Sequence, residues 1–480
     1  MSDFGLNLEN HYARLPEDFY TKMPAERVGE KLRLIHANPA AADLLDLDPA
    51  VFGDPRFVEL ASGHRALDGF SPLAMVYSGH QFGVWAGQLG DGRALLIGQV
   101  RNRKSELWDI QLKGAGRTPY SRFGDGRAVM RSTIREYLAS EALAALGIPT
   151  SRALAIVATG ETVMRETPEP GAVLTRLARS HIRFGHFEHF FHRGLKDQLR
   201  QLTDHVMAEY FPGIAAGDYA AWFGEVVRRT AELIAQWQAI GFAHGVMNTD
   251  NMSILGLTLD YGPYGFMDAY DPRFICNHTD EQGRYSFINQ PMIAHWNLRA
   301  LALTLSDLVT TDVLLEKLTT YEEHFGVKYR VLMRAKLGLQ TGEGAREEEG
   351  DDQLIGDLLT LMAKARADYT LSFRNLDGED AAWLALFGDA NMDAEAWLSR
   401  YRVRMEGEDT TSLALINPKY VLRNWVAETA IRAVEDRGDV ATLDRIFNIL
   451  RAPFEMHDGG EAFAAPPPSN MCDLEVSCSS

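Results

Sequence analysis

The sequence predicts an α+β fold in two parts: a β-rich N-terminal part with one embedded helix, then a larger helical part. Three observations carry this reading. Residues 73–115 contain short apolar runs and strict alternation, with turn signals between them. From about residue 176 onward, apolar residues recur at helical spacing. Motifs able to carry chemistry fall on both sides of the junction. The expected boundaries are 1–175 for the β-rich part with an N-terminal extension, 176–460 for the helical part, and 461–480 for a tail containing Pro466-Pro467-Pro468.

The first hairpin is expected from Ala94–Val100 and Glu106–Lys113, joined by the turn Arg101-Asn-Arg-Lys-Ser105. In its second strand Trp108, Ile110 and Leu112 face one side, and Asp109, Gln111 and Lys113 the other. Thr133–Leu146 reads as a helix through Ile134, Tyr137, Leu138, Ala142, Ala145 and Leu146, stopped by Gly147 and Pro149. Ala153–Val157 and Thr162–Arg165 read as a second hairpin around Thr159-Gly160. Asp218–Ile240 reads as a long amphipathic helix with Gly241 as its stop. Further helices are expected at Trp296–Leu308, Leu354–Ser372, Met392–Met405 and Val421–Arg437.

At 480 residues the chain is long enough for a large core. A formal net charge of −18 argues against a non-specific nucleic-acid binder, which would be basic. No N-terminal segment has the pattern of a targeting peptide, and no apolar run is long enough to span a bilayer, so a cytoplasmic location and no membrane partner are expected. Three cysteines argue against a disulfide framework of the secreted kind. Two of them, Cys472 and Cys478, fall in the last nine residues, an unsuitable place for core filling. Against the acidic background, Arg117, Arg122, Arg127, Arg131 and Arg135 form a basic cluster suited to phosphates.

The chemistry is concentrated in His244-Gly-Val-Met-Asn-Thr-Asp-Asn251, followed nine residues later by Asp260-Tyr-Gly262. A protein kinase places Asp two residues after such a His, Asn at seven, and a separate Asp-Phe-Gly beyond. Here Asn251 and Asp260 occupy the metal-holding positions, hard oxygen donors of the kind that hold Mg²⁺ on a nucleotide. The position of the base, however, is Val246, which cannot accept a proton. Asp250, beside Asn251, is the replacement candidate. Lys113 ends a strand about twenty residues after the Gly-rich Gly87-Gln-Leu-Gly90-Asp-Gly92-Arg93, and Glu136 on the next helix is its expected partner. A competing reading makes Thr133-x-x-Glu136 a capping box. A second turn, Gly124-Asp125-Gly126-Arg127, repeats Gly-Asp-Gly-Arg and suggests two loops facing one polyphosphate. Arg176, Arg179 and Arg183 are spaced to share one helical face. His186, His189 and His192 follow at spacing three, but no cysteine or acid cluster completes a metal site, and a structural role is preferred. Together these residues describe a two-lobed, protein-kinase-like layout with nucleotide between the lobes. An ordinary phosphotransferase and a non-catalytic nucleotide-binding scaffold stay open as alternatives. Val246 counts against the first, and joint retention of Lys113, Glu136, Asn251 and Asp260 against the second.

His244-Gly-Val-Met-Asn-Thr-Asp-Asn-Met-Ser253, Asp260-Tyr-Gly-Pro-Tyr-Gly-Phe-Met-Asp268, Leu112-Lys-Gly-Ala-Gly-Arg-Thr-Pro-Tyr-Ser121 and the ending Cys478-Ser-Ser480 resemble the selenoprotein O family over essentially the whole chain. The resemblance implies a kinase-like fold that transfers AMP from ATP to Ser, Thr and Tyr hydroxyls of proteins, releasing pyrophosphate. It implies a nucleotide bound inverted relative to kinases, with Mg²⁺, and in some bacterial members UTP with Mn²⁺. Carried onto this chain, Asp250 is the general base, and Asn251 and Asp260 hold the metal. Lys113, oriented by Glu136, contacts phosphates. Gly90, Gly92 and Arg93 belong to the Gly-rich loop. Asp125, Gly126, Arg176 and Arg183 line the nucleotide. The resemblance also suggests a regulatory disulfide between Cys276 and Cys478, at the position where eukaryotic members carry selenocysteine.

Overall fold

The computed structural model describes residues 3–340, 349–406, 408, 413–472, 474 and 476. The strands are β1 (Tyr20–Lys22), β2 (Arg33–Ala37), β3 (Leu73–Met75), β4 (Ser78–Gln81), β5 (Val84–Gln88), β6 (Ala94–Arg101), β7 (Leu107–Lys113), β8 (Ala128–Val129), β9 (Arg152–Met164), β10 (Pro168–Ala178), β11 (Phe242–Ala243) and β12 (Gly265–Phe266). An antiparallel sheet runs in the order β1-β3-β6-β7-β10-β9-β2, with β8 added to β10. β4 pairs with β5, and β11 with β12, as separate two-stranded ribbons.

The expected first hairpin is present. β6 and β7 pair from Ala94↔Lys113 to Arg101↔Leu107, with one irregularity between Leu96 and Gly98. The alternation in β7 sorts the sheet's two faces. Trp108, Ile110 and Leu112 enter a core with α1 (Pro39–Asp43) and α2 (Pro55–Ala61), which contribute Ala41, Ala42, Phe57 and Leu60. The polar side of β7 is buried as well: Asp109 accepts from His181 N and Gln99 Nε2, and Gln111 accepts from Arg176 Nε.

α3 (Met130–Ala145) covers the sheet's other face with Ile134, Tyr137, Leu138, Ala142 and Leu143. It begins three residues before the expected start, so Thr133 lies inside the helix and is no cap. The capping-box reading of Glu136 falls with it, because a residue already in helical conformation cannot serve as the N-cap. β9 and β10 correct the expected second hairpin. β9 runs unbroken past Thr159-Gly160, and the turn back lies at residues 165–167. Gly160, at φ +73°, sits in an irregularity: Thr162 pairs with Pro170, but Ala158 pairs with Ala172.

The helical remainder comprises α4 (Phe184–His192), α5 (Lys196–Tyr210), α6 (Tyr219–Ile240), α7 (Gln290–Thr304), α8 (Thr311–Lys336), α9 (Asp351–Ala365), α10 (Tyr369–Arg374), α11 (Asp380–Leu384), α12 (Asn391–Met405), α13 (Asn424–Arg437) and α14 (Val440–Arg451). The expected helix at 354–372 is two helices. Arg366 in the left-handed region (φ +49°) ends α9, and Asp368 caps α10 by accepting from Leu371 N. α6 matches its expectation at both ends. The Asp218 side chain accepts from Ala221 N, and Gly241 (φ +73°) terminates it. Its buried Trp222, Phe223, Val226, Ile234 and Trp237 join one core with α3, α7, α13 and α14. Burying each such side chain favours folding by roughly 1.5–3 kcal/mol. A second core, around Trp383, Trp397 and Phe373, holds α9 to α12 together. Among the described residues no helix is long and apolar enough to cross a membrane.

Candidate active site

α6 delivers the site loop. After Gly241 the chain makes β11, which pairs with β12, and then reaches His244. His244 is buried, stacks on Trp237 at 5.2 Å, and its Nε2 lies 2.8 Å from the Leu259 carbonyl. The imidazole thus ties the loop to the residue preceding Asp260. Asn251 Nδ2 donates to the Val246 carbonyl at 3.1 Å and closes the loop on itself. Asp260 adopts φ +57°, outside the comfortable range of a non-glycine residue.

Val246, Asp250, Asn251 and Asp260 line an open cleft of about 1010 Å³ with Gly90, Gly92, Arg93, Lys113, Asp125, Gly126, Arg176 and Arg183. Every expected site residue up to Asp260 except Glu136 lines it, and Glu136 lies directly behind. Lys113 Nζ pairs with Glu136 Oε2. Arg176 bridges Glu136 Oε1 at 2.9 Å and Asp260 Oδ1 at 2.7 Å. Arg183 grips Asp260 Oδ2 through Nε at 2.9 Å and its terminal nitrogen at 2.6 Å. Burial alone would push both carboxyls up. Lys113 and Arg176 outweigh it at Glu136, and Arg183, Arg176 and Lys113 hold Asp260 well below the usual carboxylate range.

The shared helical face expected for three arginines does not exist. Arg176 is on strand β10, paired between β7 and β9, and Arg183 is the N-cap of α4. The helical spacing is coincidental, since pleat and loop bring Arg176 and Arg183 to one carboxylate. Arg179 points away, donating to the Leu107 carbonyl. The basic cluster is likewise largely committed elsewhere. Arg127 pairs with Glu26 and Glu161, Arg131 with Glu169, and Arg135 donates to the Tyr264 carbonyl.

The two Gly-Asp-Gly-Arg turns meet on one wall. Ser121 Oγ donates to the Gly92 carbonyl, and Gly114 N to the Arg93 carbonyl at 2.7 Å. Gly126 has φ +73°, and a Cβ there would lie 2.2 Å from the Gly116 backbone, so only glycine fits. Asp125 organises the turn: it accepts from Arg127 N at 2.9 Å and pairs with Arg165 at 2.8 Å.

Asp250 stands apart from the cationic cluster. Oδ2 accepts from Gln81 Nε2 at 3.1 Å, while Oδ1 is buried with no hydrogen-bond partner among the described residues. Burial pushes its pKa up to about 7, against the opposing pull of Gln81 and Arg183. A buried carboxyl poised near neutrality, with one oxygen unsatisfied, suits proton abstraction. Sequence reasoning missed Gln81 and Asp91. Gln81 reaches Asp250 across 169 positions, which no local pattern signals. Asp91 lay inside the Gly-rich motif already singled out. It is buried, pushed up to about 6 by desolvation, and its Oδ1 faces Arg183 at 3.7 Å.

Cys276 is buried, with Sγ 3.5 Å from the Ala243 carbonyl. Cys478 lies outside the described residues. The tail does approach Cys276, since His278 N donates to the Val476 carbonyl at 3.1 Å.

A glycine-lined cleft with a Lys–Glu pair, clustered arginines, the side-chain oxygens of Asn251 and Asp260 and a buried carboxyl is that of a nucleotide-dependent group-transfer enzyme. The family model described as "Protein adenylyltransferase SelO" matches residues 3–451, and the chain belongs to that family. Relatives named "Protein nucleotidyltransferase YdiU" are similar over nearly their whole length. The protein of Bordetella avium (strain 197N) is 50% identical, covering 99% of this chain and 98% of its own. That of Myxococcus xanthus (strain DK1622) is 48% identical, with 99% of each covered. That of Pseudomonas putida (strain GB-1) is 49% identical, again with 99% of each covered.

Proposed function

We propose that this chain transfers AMP from ATP to hydroxyl groups of Ser, Thr or Tyr on proteins and releases pyrophosphate. The observation that carries the reading is the separation of roles in the cleft. An apolar Val246 stands where a phosphotransferase keeps its base, while a buried carboxyl with a pKa near neutrality stands at Asp250. In this reading residues 1–175 and 176–460 are the two lobes of a kinase-like enzyme, and 461–480 is a redox-active tail. The nucleotide lies inverted between the lobes, with its α-phosphate toward Asp250.

Asp250 takes the proton of the acceptor hydroxyl, whose oxygen attacks the α-phosphorus in line as the bond to pyrophosphate breaks. Arg176 and Arg183 exchange part of their grip on Asp260 for oxygens of the leaving pyrophosphate. Forked guanidinium groups suit such oxygens. Lys113, fixed by Glu136, holds the phosphate chain. Gly90, Gly92, Arg93, Asp125 and Gly126 form the wall along which the nucleotide lies. The donor set at Asn251 and Asp260 fits Mg²⁺, because the Asn251 amide nitrogen is engaged with Val246 and leaves its carbonyl oxygen as the donor. Mg²⁺ there, or Mn²⁺ with UTP as an alternative nucleotide, supplies charge neutralisation when bound.

Intact-mass measurement of an acceptor protein after incubation with ATP and Mg²⁺ tests this reading. An adduct of one AMP, lost in Asp250→Asn, is the expected result. A phosphate adduct would replace the reading with an ordinary phosphotransferase. No adduct from protein that still binds ATP, with or without reductant, would make it a scaffold.

A further inference from the structure

Beside the loop carrying Asp250, where His80 N donates to Thr249 Oγ1, three side chains converge from two elements. His80 comes from β4, and Glu188 and His192 come from successive turns of α4. One ligand atom of each lies within 4.8 Å of the other two. His80 Nδ1 is 2.5 Å from Glu188 Oε1. Glu188 is fully buried, yet among the described residues its Oε2 has no hydrogen-bond partner. A buried carboxylate oxygen left unpaired is costly, and one histidine satisfies only half of this carboxylate. The rings are also held in place: His192 packs on Trp85 at 4.1 Å, and His80 sits edge-on to Trp296 at 5.3 Å.

We propose that His80, Glu188 and His192 form a binding site for a divalent transition metal of the zinc type, separate from the oxygen donors Asn251 and Asp260. Two imidazole nitrogens and one carboxylate oxygen suit Zn²⁺ or Co²⁺, whereas Mg²⁺ and Ca²⁺ take oxygen-only sets. The spacing of Glu188 and His192, four apart on a helix, puts both on one face. His192 is exposed and gives the ion an entry path and an outward coordination position. The sequence preferred a structural role for His186, His189 and His192, and two of the three have one. His186 Nδ1 accepts from Arg183 N, and His189 Nδ1 meets Ser78 Oγ at 3.0 Å, so only His192 of the three takes part. The ion fastens β4 to α4 one residue from the side chain that holds the base. His80 N donates to Thr249 Oγ1 at 2.7 Å, and the adjacent Gln81 holds Asp250.

Protein stripped with a chelator and dialysed without nucleotide against limiting Zn²⁺, or separately Co²⁺, tests the site by metal counting. The expected result is one tightly held equivalent, with the visible absorption of nitrogen- and oxygen-ligated Co²⁺. That equivalent is lost in Glu188→Gln and in His192→Ala, and kept in Asp260→Asn. His192 is exposed at the end of its helix, so His192→Ala folds, which circular dichroism verifies. No tightly held equivalent on the unaltered protein, or one retained by His192→Ala, would overturn the site. Loss in Asp260→Asn alone would assign the metal to the nucleotide cleft instead. None of these outcomes bears on AMP transfer.

Discussion

Asp250 must be ionised to accept a proton, and burial has pushed its pKa to about 7. The rate of AMP transfer at limiting substrate therefore rises with pH through about 7 and levels off above it. A profile flat across that range would remove Asp250 from the role of base. The same shift acts on stability with the opposite sign. A carboxyl whose folded pKa is raised contributes stability fully present below its ordinary value of 3.8 and lost as pH rises through about 7. Asp250→Asn is expected to lower the transfer rate about 10²–10⁴-fold with nucleotide affinity retained, measured by single-turnover kinetics and nucleotide titration. Gly126→Ala forces a Cβ to within 2.2 Å of the Gly116 backbone at a positive φ. It is expected to raise the KM for nucleotide more than it lowers kcat, and to destabilise by at least about 1 kcal/mol. Lys113, Glu136, Asn251 and Asp260 were legible because order and spacing along the chain carry them. Gln81 was not, because its partner stands 169 positions away.

At the scale of elements, Glu136 shows how α3 and the sheet share one charge network. Glu136→Ala takes away the carboxylate paired with Lys113 and one of the two that Arg176 bridges, in a buried setting. Breaking one partner of a buried pair costs about 3–5 kcal/mol. Denaturant unfolding should register that loss, together with weakened ATP binding. α6 was legible from both ends: Asp218 supplies the cap, Gly241 the stop, and the tryptophans the buried stripe. α8, at 26 residues, was not, since Leu314, Leu318, Tyr321 and Met333 are its only buried hydrophobic residues, while Leu315, Val327 and Val331 are exposed and blur the apolar stripe. The arginines at 176, 179 and 183 mislead for a different reason. A period counted on charged residues alone says little, because burial of apolar neighbours decides whether a segment pairs as a strand. Leu174 and Leu177, buried between β7 and β9, and Ala178, buried beside β7, decided it here.

For the whole molecule, sequence signals placed the motifs at the meeting of the sheet with the helices. They did not reveal that a single core runs from Tyr12 and α3 through α6 to α14, since such a core exists only once distant segments pack. The tail is the remaining long-range element. Val476 pairs through its backbone with His278, two residues from Cys276, so closure of a Cys276–Cys478 bridge would fasten the tail beside the site loop. Cys478→Ser is then expected to make transfer activity insensitive to reductant, whereas the unaltered protein gains activity on reduction. Equal response of both would separate the tail from regulation. The most direct measurement is a paired incubation with Mg²⁺ and a protein acceptor, using ATP labelled at the α-phosphate in one tube and at the γ-phosphate in the other. Label on protein only from the α-position, absent with Asp250→Asn, is the result expected of AMP transfer. Label only from the γ-position would contradict it and return the chain to the phosphotransferases.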